Sequence, residues 1–100
     1  MIASLMMAGA LASASDCALT VRFGSYAMGI DAPAAARIET FLKGRLDVAQ
    51  TERRPWGREG EYDLCVRLKP RADPAALFRV LRPMLPARPA GPIEIRMSGS

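Results

Sequence analysis

Three features of this 100-residue sequence predict an α+β fold. Four short segments alternate apolar and polar residues, two longer segments repeat apolar residues at helical spacing, and their order is β-α-β-β-α-β. Right-handed crossovers fold that order into a four-stranded antiparallel sheet with both helices on one face, the ferredoxin-like βαββαβ sandwich.

The elements follow in order. Ala18 to Phe23 (ALTVRF) sets Leu19, Val21 and Phe23 on one face and Thr20 and Arg22 on the other, the period of a half-buried strand. Asp31-Ala32-Pro33 opens a helix with a capping carboxylate and a first-turn proline. Ala34, Ala35, Ile38, Phe41 and Leu42 then share one face, and Gly44 closes the run. Leu46 to Gln50 alternates again and predicts a second strand, followed by a turn region from Thr51 to Gly60 that Pro55, Gly57 and Gly60 punctuate. Glu61 to Leu68 predicts the third strand, with Tyr62, Leu64, Val66 and Leu68 inward and Glu61, Asp63, Cys65 and Arg67 outward. Asp73-Pro74 begins a second helix lined by Leu77, Val80, Leu81 and Met84. A proline-spotted linker leads to a short last strand, Ile93 to Met97.

The face without helices is expected to carry Thr20, Arg22, Glu61, Asp63, Arg67, Glu94 and Arg96. Opposite charges on neighbouring strands make a solvated ladder, and the lack of aromatics there argues against stacking of nucleic-acid bases.

Residues 1–14 (MIASLMMAGALASA) carry no charged side chain, and all 24 charged residues begin at Asp16. An apolar run ending in Ala12-Ser13-Ala14 has the form of a signal peptide with an A-x-A cleavage site, and it is shorter than the ~20 residues of a membrane span. Residues 15–100 are then expected to form a single small domain in the periplasm or beyond. Net charge is +4, from 14 basic and ten acidic residues, a mild bias towards anionic partners. Histidine is absent, which excludes Ser-His and Cys-His nucleophile pairs and His-bearing metal sites. No cofactor, metal or nucleic acid is expected, and the oligomeric state expected is a monomer or weak dimer.

Two cysteines in an exported domain predict a disulfide, Cys17–Cys65. The first and third strands are adjacent in this fold and place both cysteines near one end of the sheet. Cys65 has outward parity and Cys17 inward parity, so the bridge requires the chain to bend before Ala18.

The candidate site is the stretch Phe23 to Asp31 (FGSYAMGID) together with the turn after the second strand. Glycines bracket the first, and its helix N-terminus offers N–H groups to an anion. The topology puts Gly24, Ser25, Tyr26 and Gly29 at the same end as Arg53, Arg54, Trp56 and Arg58. Arginines supply bidentate recognition of carboxylate or phosphate, and the single tryptophan supplies a flat wall. This reads as a binding or accessory module for an anionic small molecule or the acidic segment of an envelope protein. In the other view Tyr26, Met28 and Ile30 are simply a lid over the end of the core.

In architecture and size the pattern resembles the acylphosphatases, which cradle phosphate in the loop after the first strand and use an Arg and an Asn. Here the glycines are spaced G-x4-G, the first downstream arginine is Arg37 inside the helix, and there is no Asn. The resemblance is one of architecture. A protease-inhibitor or propeptide-like module is the third class the fold allows, with a short polar tail, Met97 to Ser100, as its feature.

Overall fold

The computed structural model describes residues 17–98, so the expected leader at residues 1–14 lies outside the described residues. The chain runs β1 (Leu19–Phe23), α1 (Ala32–Lys43), β2 (Val48–Pro55), β3 (Tyr62–Leu68), α2 (Pro74–Leu81), a 3₁₀ turn (Arg82–Met84) and β4 (Ile93–Met97). The strands form one antiparallel sheet in the order β2-β3-β1-β4. This is the ferredoxin-like α+β arrangement that the order of elements predicted.

The core lies between the sheet and the helices. Leu19, Val21 and Phe23 from β1 and Tyr62, Leu64 and Val66 from β3 meet Ala35, Ile38 and Leu42 of α1 and Leu77 and Leu81 of α2. Period-two burial along β1 and β3 sends every second side chain into that layer. Each helix starts where an aspartate accepts a backbone N–H: Asp31 from Ala34, and Asp73 from Ala75.

Three expectations about elements are corrected. β2 continues through Thr51–Pro55 instead of yielding to a turn at Thr51, and the hairpin closes only at Trp56, whose N–H donates to Glu61 O. A bulge between Val48 and Gln50 resets the strand's alternation, so Thr51 and Arg53 stand opposite the inward Val66 and Leu64. Leu46 falls before the strand and is exposed. On α2, Val80 is exposed and Phe78 packs against the core in its place.

The chain does bend at Ala18, and the bend carries Cys17 across to the open face beside Cys65. The two sulfurs are at bonding distance, with Cα atoms 5.2 Å apart. Ala18 N–H to Val66 O (2.8 Å) and Ser98 N–H to Ala18 O (3.1 Å) hold the bend from both neighbouring strands.

Candidate functional site

The loop after β1 is tied down by its own polar groups. Gly24 N–H donates to Pro92 O at 2.8 Å, extending the β1–β4 ladder by one step. The Ser25 hydroxyl oxygen accepts from the N–H groups of Ala27 and Gly29, each at 3.0 Å. That closure holds Ala27 at φ 143° and Gly29 at φ 95°; the first is a conformation an L residue seldom adopts, so the loop stores strain. At its far end Asp31 accepts from Ala34 N–H (3.2 Å) and, across the molecule, from Ala90 N–H (2.9 Å). The Ala90 N–H, then that of Ala34, holds the Asp31 carboxyl below the usual carboxylate range.

The loop and the β2–β3 turn do lie side by side: a Cβ placed on Gly29 would sit 3.7 Å from Glu59 O. Three of the N–H groups that an anion cradle there would use are engaged within the chain: Ser25 takes those of Ala27 and Gly29, and Asp31 takes that of Ala34.

The arginines separate as well. Successive strand residues point to opposite faces. Arg53 turns to the helix side, where it forms a two-point ion pair with Glu39 of α1 (2.9 and 3.2 Å) and its guanidinium lies 4.8 Å over the Tyr62 ring. Arg54 turns to the open face and bonds Glu52 at 3.3 Å. Arg58 is exposed in the turn. Glu39 is the buried charged residue that sequence reading passed over. It sits four residues after Ala35 on the apolar stripe of α1, and it also accepts a hydrogen bond from the Tyr62 hydroxyl. Burial first, then that carboxylate, pushes the Tyr62 phenol up from its ordinary value.

Trp56 folds onto the open face, which was expected to be free of aromatics. Its indole N–H donates to Asp63 Oδ1 at 2.9 Å, and the Arg22 guanidinium lies 4.8 Å from the ring centre. Arg22 in turn pairs with both Asp63 oxygens, at 2.9 and 3.2 Å. Asp63 therefore fixes arginine and tryptophan together. Trp56 stays 49% exposed and forms one wall of a hollow of about 300 Å³ whose other sides are Arg22, Gly24, Ser25, Glu61, Pro92 and Glu94. In the adjoining loop Tyr26 and Met28 project outward, 67% and 96% exposed, while Ile30 alone of the three packs against the core.

Of the residues expected to act together, the structure gathers Gly24, Ser25 and Trp56 around one hollow and sets Gly29 beside the turn. It leaves Tyr26 and Arg58 exposed on the rim elements and directs Arg53 and Arg54 to other partners. Arg22, Glu61, Pro92 and Glu94 join the hollow without having been anticipated as a site; the alternation of the strands had placed Arg22 and Glu94 on that face but gave no direction for a tryptophan in a turn.

The Ser25 oxygen accepts two amide hydrogens, and the Glu61 carboxylate caps the Glu59 N–H. Among the described residues no cluster of three metal-ligating side chains forms, and no helix is long and apolar enough to cross a membrane. The sequence matches no family model, and neither a curated protein nor a solved structure matches it.

Proposed function

We propose that this chain is a small binding or accessory module of an oxidising compartment, periplasmic or extracellular, and that it contacts a polypeptide partner through its loop-and-hairpin end. One observation carries the reading. The only tryptophan is held half exposed by Asp63 and Arg22 as the wall of an open hollow, with Tyr26 and Met28 exposed in the adjacent loop. Rigid aromatic surface fixed in advance is what concentrates binding energy at protein contacts, because little side-chain entropy remains to be lost. A free small anion fits less well, since the nearby arginines already hold carboxylates: Arg22 with Asp63, Arg53 with Glu39 and Arg54 with Glu52. The compartment is supported by the Cys17–Cys65 pair and by the charge-free first 14 residues with their A-x-A end.

Trp56 fluorescence is the direct test. Acidic, basic and apolar peptides, phosphate and di-acids are titrated against the chain and against Tyr26→Ala/Met28→Ala. A saturable response to one peptide class, weakened in the double variant, is expected. Flat traces for every peptide, or a response confined to phosphate or di-acids, would overturn the polypeptide reading. Export is tested separately by mass spectrometry of chain recovered outside the cytoplasm, which should begin at Ser15.

A further inference from the structure

Among the described residues the sheet has two edges, β2 and β4, and they are built differently. β2 carries devices that keep an edge strand from pairing with a neighbour. It has a bulge between Val48 and Gln50, Pro55 in its last position, and the charged Arg53 on its helix side. β4 has no proline and no bulge, and its register against β1 is regular from Ile93 to Met97.

The bonds that bracket β4 fix which of its backbone groups are spent. Gly24 N–H to Pro92 O and Ser98 N–H to Ala18 O mark the hydrogen-bonded pairs of the ladder. Counting by twos between them, Glu94 and Arg96 turn their backbone groups to β1, and Ile93 and Ile95 turn theirs to the open edge. The side chains of Ile93 and Ile95 lie on the helix side. There, with Phe78, Leu85, Arg82 and Glu94, they line a hollow of about 220 Å³ that runs along the edge.

We infer that β4 is a self-pairing edge: two copies of this chain join antiparallel through it, about a two-fold axis at Ile95, into one continuous eight-stranded sheet. The alternation of charge selects both the occupant and the register. With Ile95 opposite Ile95 of the partner subunit, Glu94 stands opposite Arg96 of the partner subunit, and the axis repeats that pair. Slipping the register one way sets Glu94 against Glu94 of the partner subunit. Slipping it the other way sets Arg96 against Arg96 of the partner subunit. Both bring like charges together, and a second copy supplies the matched pattern by construction. Glu94 and Arg96 now bond each other along the strand at 3.1 Å with both side chains more than half exposed, so exchanging that pair for cross-strand pairs costs little. On the helix side the half-buried Phe78 and Leu85 extend the apolar strip that pairing would cover.

Sedimentation velocity of the full chain over a concentration series at low salt tests this with four proteins: the native chain, Glu94→Arg, Arg96→Glu, and the double swap Glu94→Arg/Arg96→Glu. The native chain and the double swap are expected to dimerise with similar affinity. Each single swap replaces two attractive pairs by repulsive ones and should weaken the dimer about tenfold or more. Ile95→Pro deletes an N–H that β1 does not use and should leave a monomer with an unchanged circular-dichroism spectrum. A native chain that stays monomeric at millimolar concentration, a dimer that the single swaps leave intact, or a double swap that fails to restore it would each overturn the inference.

Discussion

Reducing the Cys17–Cys65 bridge should cost this domain a large part of its stability, and the loss can be worked from the fold. The cysteines are 48 residues apart. Closing a loop of that length removes about 14 cal/mol/K from the unfolded chain, ~4 kcal/mol at 25 °C in the chain-entropy account. For a domain below 100 residues that corresponds to a fall in melting temperature of about 15–30 °C. With a urea slope of ~1–2 kcal/mol/M, the midpoint should drop by ~2–4 M. The assay is a pair of urea titrations followed by circular dichroism, one on the oxidised chain and one with excess dithiothreitol, with Cys17→Ala/Cys65→Ala as a control that cannot re-form the bond. Two hydrogen bonds, Ala18 N–H to Val66 O and Ser98 N–H to Ala18 O, hold the same bend without the sulfurs. If those bonds suffice, the oxidised and reduced midpoints will lie within ~0.5 M of each other, and the reasoning that the bridge acts by limiting the unfolded chain is refuted.

Further outcomes follow from named contacts. Tyr62→Phe should cost ~1–2 kcal/mol in urea unfolding, because the buried Glu39 loses one of its two partners; Arg53→Met should cost ~2 kcal/mol or more, because it leaves that carboxylate without its cation. Gly91→Ala should destabilise by ~1–3 kcal/mol in the same titration, since a Cβ there collides with the Gly24 carbonyl oxygen where the linker meets the loop. Stability should fall on acidification. Asp31, Asp47, Glu52 and Glu94 all have carboxyls held low in the folded chain, so their contribution is complete above the unfolded values near ~4 and is lost as pH falls through the lower folded ones. A melting temperature that is constant from pH 5 down to pH 2 would contradict this.

The fold was legible because its signals are periodic. β1 and β3 announce themselves by two-residue alternation, and the helices by an aspartate-proline start and an apolar stripe, each a consequence of backbone geometry that operates wherever the strand or helix is placed. The errors fall where one residue breaks the period. The bulge between Val48 and Gln50 hides the continuation of β2 through Pro55, because the alternation changes phase inside the strand. Cys17 likewise has the parity of a buried β1 residue, and only the bend at Ala18 lets it reach Cys65.

The site is less legible for a different reason: closeness in number is not closeness in direction. Arg53, Arg54, Trp56 and Arg58 are near one another in the chain, yet a strand sends Arg53 and Arg54 to opposite faces. Glu39 then determines where Arg53 goes, since a carboxylate enclosed beneath α1 cannot remain without a cation and a donor. That demand was present in the sequence, as an acid four residues along the stripe from Ala35. The same matching recurs at Arg22 with Asp63, Arg54 and Arg67 with Glu52, and Arg96 with Glu94. A chain of net charge +4 therefore presents much less positive field at this end than its arginine count implies. Besides Arg58 in the turn, this end leaves outward apolar groups: the edge of Trp56, the ring of Tyr26 and the thioether of Met28. The backbone that carries Tyr26 and Met28 is fastened by Ser25, Asp31 and Gly24, so little backbone freedom remains to be lost there on binding. The balance of charge inside the domain, more than the count of charges along the chain, thus sets what this end of the molecule presents.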